Sequence, residues 1–134
     1  MKVSARNVFE GTISALINGA VNTEVELTLA GGDKLVAIVT ESSTQSLGLA
    51  VGKAATALVK APWVIVLAGE SNLKFSARNQ LSGKVQSLSK GAVNTEVAIE
   101  LAGGSLVYAV ITNDAAKELQ LSVGAPASAL IKAS

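Results

Sequence analysis

From residue 21 to residue 29 apolar and polar positions alternate. Val21, Thr23, Val25, Leu27 and Leu29 fall on one face, and Asn22, Glu24, Glu26 and Thr28 on the other. A period of two marks a strand with one buried face. Residues 11–16 and 34–40 read the same way, and Ala30-Gly31-Gly32-Asp33 supplies the turn of a hairpin between 21–29 and 34–40. After Thr40 the pattern changes. Ser42, Ser43, Thr44, Gln45 and Ser46 precede Leu47-Gly48, which predicts a short helical turn capped by a hydroxyl and stopped at Gly48. Val51-Gly52-Lys53 turns the chain into a strand over 55–61. Pro62 interrupts it, and 63–67 reads as a last short strand.

The pattern then repeats. Shifted by 72 residues, positions 3–62 fall on 75–134 without a gap, and 28 of those 60 pairs are identical. Such a repeat is the first thing to settle, because it determines how the rest is read. Ser4-Ala5-Arg6-Asn7 returns as Ser76-Ala77-Arg78-Asn79. The block from Gly19 to Val25 returns residue for residue from Gly91 to Val97, and Lys60-Ala61 returns as Lys132-Ala133. The second copy predicts strands over 81–88, 93–101, 106–112 and 127–133, with a helical turn over 113–119. The chain thus divides into a first module over 1–68, a linker over 69–73 and a second module over 74–134, which has no counterpart of strand 63–67. The predicted class is all-β: two tandem small OB-like β-barrel modules, each with one short helical turn.

Composition sharpens this picture. Hydrophobic residues make up 49% of the 134 positions and charged residues 16%. A unit of about 60 residues buries only about 60% of its unfolded surface, so two apolar units are expected to bury surface against each other or in a homo-oligomer. There is no Cys and no His, which removes disulfides, thiolate nucleophiles, Ser-His or Cys-His pairs and most zinc sites. No nucleophile and base recur together, so an enzyme is not expected. Net charge is +1 and aromatic content 3%. The Lys residues are dispersed, which argues against a nucleic-acid groove. No apolar run approaches the roughly 20 residues of a membrane helix. The first residues lack the apolar core of a signal peptide, consistent with a cytoplasmic setting.

Two positions stand out chemically. Arg occurs only at Arg6 and Arg78, at the same register of the two copies. Arg offers fixed, paired donors suited to an oxyanion. Taken alone, Arg6 and Arg78 could equally cover strand surface and form salt bridges at an interface. Lys60 and Lys132 alone read as solvated surface lysines, Thr40 and Ser43 as helix caps, and Pro62-Trp63 as packing.

With these blocks quoted, the chain resembles the molbindin family of molybdate-binding proteins, in its two-copy (di-Mop) form. The resemblance rests on Ser4-Ala5-Arg6-Asn7, the Gly19–Val25 block, Thr40 with Ser43, and Lys60-Ala61-Pro62-Trp63, together with their second-copy counterparts. It implies one OB-like barrel per copy with strands exchanged between copies. It also implies trimers of two-copy chains, with oxyanions at the interfaces, for cytoplasmic storage or homeostasis. The implied ligand is molybdate, with tungstate possible, and no cofactor is implied. The same module also serves as the ligand-sensing part of molybdate-responsive regulators or transporters, which is the alternative reading.

The resemblance implies oxyanion-binding positions at Ser4, Arg6, Thr40, Ser43, Lys60 and Ala61, and at Ser76, Arg78, Thr112, Lys132, Ala133 and Ser134. Ser43 is matched by Ala115, so the second copy lacks one hydroxyl. A second class of site is implied near Ala20, Val21 and Asn22 and near Ala92, Val93 and Asn94. There Gly19 and Gly91 would let backbone N–H groups converge as a nest. Glu24 and Glu96 would repel an anion, so they are expected to face elsewhere or to pair with Lys. Because a small barrel cannot close the cage alone, each Arg is expected to reach into a neighbouring copy.

Overall fold

The computed structural model describes residues 2–70 and 72–134. Met1, in the first expected module, and Ser71, in the expected linker, lie outside the described residues.

The chain runs β1 (Asn7–Asn18), β2 (Asn22–Leu29), β3 (Lys34–Thr40), α1 (Glu41–Leu47), β4 (Ala54–Val59), a 3-10 turn (Ala61–Trp63) and β5 (Ile65–Ala68). The second copy gives β6 (Asn79–Lys90), β7 (Asn94–Leu101), β8 (Leu106–Thr112), α2 (Asn113–Glu118) and β9 (Pro126–Ile131). The period-two reading therefore holds, and both helical turns begin where the hydroxyl predicted. Thr40 and Thr112 cap them by accepting from the backbone N–H of Ser43 and Ala115. Gly48 ends α1 in the left-handed region. The strand expected over 55–61 stops at Val59, because Pro62 lies at the start of the 3-10 turn, where its missing N–H costs nothing.

All the paired strands are antiparallel. One sheet has the order β3-β2-β1-β4, the other β5-β9-β6-β7-β8. Each curls as a half-barrel and is open in its hydrogen bonding. The fifth strand shows how the two copies are interleaved. β5 follows the first copy in sequence, yet it pairs with β9 of the second, Ile65 opposite Leu130 and Ala68 opposite Ala127. The 3-10 turn that leads into it packs on β8. Val64 and Val66 are buried there. A single hydrophobic core results, drawn from both copies: Phe9, Ile13, Val25 and Leu35 belong to it along with Val85, Val97, Ile99 and Val107. Two marginal units thus share one interior, as their apolar composition requires.

Candidate functional site

The repeated Ser-Ala-Arg-Asn segments lie at the seam between the copies, and the contacts there are reciprocal. Arg6 Nη2 donates to Glu96 Oε1 at 2.7 Å and Arg6 Nε donates to Glu96 Oε2 at 2.9 Å. Its counterpart Arg78 donates to Glu24. Each Arg therefore crosses to the other copy, as expected, but its partner there is a carboxylate. Of the two alternatives expected for Glu24 and Glu96, pairing with Lys is corrected: both are held by Arg. Arg6 meets Glu96 at two points, the match of a guanidinium fork to a carboxylate, whereas Arg78 meets Glu24 through Nη1 alone. The Arg6 guanidinium also lies 4.5 Å from the centre of the Tyr108 ring. Position 36 is Val, so Arg78 has no such ring beneath it.

The electrostatics follow the geometry. The hydrogen bond and the charge of Glu96 raise the pKa of Arg6. The hydrogen bond from Arg6 holds the Glu96 carboxyl below its ordinary range, against the opposing effect of partial burial.

The asparagine that follows each Arg matters as much to the seam. The Asn7 side chain donates to the Tyr108 carbonyl at 2.8 Å and accepts from the Tyr108 N–H at 2.7 Å. Asn79 does the same to Val36, at 2.7 Å in both directions. The sequence reading gave Asn7 and Asn79 no role of their own and did not pair the glutamates with the arginines. Their signal was available, because all four lie inside the blocks repeated without change.

Two further contacts join the copies. Ile38 N–H donates to the Ala133 carbonyl at 2.7 Å, which lays residues 132–134 beside β3 just before Thr40. The tips of the two hairpins meet at Gly31 and Gly103. A Cβ on Gly31 would collide with the Gly103 backbone, and one on Gly103 with Gly31 and Asp33. The Gly-Gly pairs therefore do more than turn the chain.

These contacts regroup the predicted oxyanion positions. Ala133 comes to β3, which ends at Thr40 just before α1 and its Ser43, while the turn after Lys60 packs on β8, whose end carries Thr112. Arg6 lies on the β7–β8 side and Arg78 on the β2 side. Each Arg, the turn after Lys60 and the chain beside Lys132 thus meet elements of the other copy. Lys60, Lys132, Ala133 and Ser134 also border one common groove. Thr40 Oγ1 donates to Ser43 Oγ at 2.8 Å. Thr112 lacks that acceptor because Ala115 replaces the serine. Ser4 and Ser76 are exposed, and no hydrogen bond ties either to the other predicted positions.

The second predicted class lies alongside the first. Asn22 pairs directly with Thr40, and Asn94 with Thr112. Neither Gly19 nor Gly91 takes a positive φ, so the backbone there lacks the left-handed step that a nest uses. These glycines answer instead to crowding: a Cβ on Gly19 would sit 2.7 Å from the Asn22 carbonyl oxygen. Val21 and Val93, at the tips, remain 72% and 71% exposed, a large apolar exposure repeated in both copies.

Among the described residues no group of His, Cys, Asp and Glu could hold a metal ion, and no helix is long and apolar enough to cross a membrane.

A family profile described as TOBE domain matches residues 3–66 and again 76–134. The chain belongs to the TOBE domain family, as a member with two copies in tandem, and the resemblance to the two-copy molbindins stands. The particular likeness is to a solved structure described as the cytoplasmic molybdate-binding protein ModG, with molybdate bound. It is 54% identical, superposes with a TM-score of 0.94, and is matched over 100% of this chain and 95% of that one. Among curated proteins, the molybdenum-pterin-binding protein MopA of Rhodobacter capsulatus is 43% identical over 100% of this chain and 51% of its own length. The molybdenum transport protein ModE of Herbaspirillum seropedicae is 42% identical over 99% of this chain and 49% of its own length. The chain thus spans about half the length of the curated relatives it matches.

Proposed function

We propose that this chain is a binding protein for molybdate, and for tungstate by the same chemistry, that serves intracellular storage or homeostasis in the cytoplasm. One observation carries the reading: a 54% identical structure with molybdate bound superposes on this chain over its whole length. The donors at the seam fit a doubly charged tetrahedral anion. Lys60 and Lys132 supply charge. Thr40, Ser43 and Thr112 supply hydroxyls, and the backbone of Ala61 and Ala133 lies beside the lysines. A cage whose lysines and backbone N–H groups can only donate, and whose hydroxyls turn their protons to the anion, suits an anion without a proton. Phosphate, partly protonated at neutral pH, would leave its O–H without an acceptor, at a cost of about 1–3 kcal/mol. Sulfate carries no proton and is discriminated by its smaller size.

In this reading Arg6 and Arg78 join the cage by exchanging a carboxylate for the anion, because a dianion beside Glu96 or Glu24 would be repelled. Trimers would complete the sites. The exposed Val21 and Val93, together with Trp63, supply apolar surface for that assembly.

Titration calorimetry with molybdate, tungstate, sulfate and phosphate, with native mass measurement of the loaded oligomer, tests this. Tight heat-producing binding of the first two and weak binding of the others is expected. Absence of heat and of any thermal shift with molybdate would remove the reading.

A second reading has its own support. The curated relatives are twice as long, and one is named a molybdenum transport protein. The module could then be the ligand-sensing half of a regulator or transporter. Whether the natural gene encodes a further domain separates the two.

A further inference from the structure

Arg6 and Arg78 occupy the same place in the two copies, yet the fold holds them unequally. Their anchors are alike. Asn7 clamps the main chain of Tyr108 and Asn79 that of Val36, and positions 108 and 36 are equivalent through the 72-residue repeat. Exposure is alike too: the two arginine side chains are 54% and 53% exposed, so water screens both pairs equally. What differs is the surface beneath each guanidinium. Arg6 lies over the Tyr108 ring, and it meets Glu96 through Nε and Nη2 together. Arg78 has Val36 at the equivalent position and meets Glu24 through Nη1 alone.

Strand register shows where a released arginine would go. Glu96 lies opposite Val110, and Asn94 opposite Thr112. Residues two apart on a strand share a face, as do residues directly opposite each other. Tyr108, Glu96 and Thr112 therefore follow one another along one face, with the row of Glu96 about 7 Å from the row of Thr112. The first copy repeats this with Val36, Glu24 and Thr40, since Glu24 lies opposite Ile38 and Asn22 opposite Thr40. An arginine that leaves its glutamate thus meets the predicted hydroxyl by a swing of its own side chain.

We propose, on the reading of the seam as an oxyanion site, that Tyr108 is a positioning residue: its ring pins Arg6 on Glu96, so the sites that recruit Arg78 fill first and those that recruit Arg6 fill last. The negative face of the ring attracts the guanidinium, and that attraction is given up when Arg6 moves to an anion beside Thr112. Val36 exerts no such hold on Arg78. One repeated motif then yields two affinities, which widens the range of anion concentration over which the protein takes up its ligand. The missing hydroxyl at Ala115 acts in the same direction, so the ring must be isolated by substitution at positions 108 and 36.

The whole chain labelled with isotopic arginine gives two Nε–H signals in nuclear magnetic resonance, because it has only two arginines. Arg78→Lys assigns them by removing one. Both are followed during titration with molybdate, with calorimetry on the same samples. In the unaltered protein the Arg78 signal should reach its midpoint at a lower molybdate concentration than the Arg6 signal. Tyr108→Val should lower the Arg6 midpoint about two- to fivefold and leave that of Arg78 in place. Tyr108→Phe keeps the ring and should keep the order. Val36→Tyr should raise the Arg78 midpoint by a similar factor. Val and Tyr already occupy these equivalent, half-buried positions, so both exchanges suit the fold. The proposal is overturned, and molybdate binding left standing, if the two signals move together, if Tyr108→Val leaves the Arg6 midpoint unchanged or raises it, or if heat is released with neither signal moving. Absence of heat in the unaltered protein overturns both.

Discussion

Asn7 binds the main chain of Tyr108 through both ends of its side-chain amide, at 2.8 and 2.7 Å, across the seam between the two copies. Asn7 is 1% exposed and its counterpart Asn79, bound to Val36 in the same way, 3%. One amide thus completes the backbone bonding of a strand in the other sheet, where it would otherwise lack a partner. No other side chain of that size offers a donor and an acceptor in this spacing.

Asn7→Ala and Asn79→Ala are therefore expected to destabilise the fold by about 1–3 kcal/mol for each main-chain group left without a partner. Urea denaturation monitored by circular dichroism measures this. A loss no larger than that of an exposed strand position would show that the seam does not depend on these amides.

The Arg6–Glu96 pair predicts a pH dependence. The folded-state pKa of Glu96 is held below its ordinary value by the hydrogen bond from Arg6. A depressed carboxyl contributes stability that is fully present above its unfolded pKa, about 4.3. That contribution is lost as pH falls from there through the lowered folded value, while Arg6 stays charged throughout. Glu96→Gln should flatten the acid side of the stability profile and lower stability at neutral pH by the same modest amount, because the pair is partly solvent-exposed. Thermal melts between pH 2 and pH 7 decide it.

The same substitution separates two roles of Arg6. If the arginine must leave Glu96 to meet an anion, Glu96→Gln frees it and should tighten molybdate binding. Arg6→Ala should weaken binding at that site. Calorimetry on both variants is the measurement; an unchanged affinity in both would make Arg6 a seam residue alone.

The difference between Ser43 and Ala115 predicts unequal sites. Ser43→Ala removes one hydroxyl from a charged ligand, worth about 1.5 kcal/mol, or roughly tenfold in affinity. It should weaken the sites that use Thr40, while Ala115→Ser strengthens those that use Thr112. Each change should bring the two classes of site closer together in a titration.

Gly31→Ala should open the contact between the hairpin tips, since its Cβ would meet the Gly103 backbone. Overpacking against backbone typically costs about 1–3 kcal/mol. Gly32→Ala is the informative comparison. There the space is free and only the positive φ of 93° opposes the change.

The sequence by itself determined the strands, the helical turns and the repeat, because each is a local matter. Alternation at 22–29, the hydroxyl at Thr40 and the proline at position 62 act on their nearest neighbours along the chain. The candidate donors were legible for a different reason: blocks such as Ser4–Asn7 return unchanged 72 residues later. Tertiary structure alone decided which residues meet. It carried β5 to β9, set Glu96 against Arg6, laid Ala133 along β3 and pressed Gly31 against Gly103. The repeat makes both sheets nearly equivalent in local preference, so no local signal says which of them a given strand joins. The shared core resolves it, because burial depends on which surfaces face each other across the seam, and the order of residues along one strand does not record that.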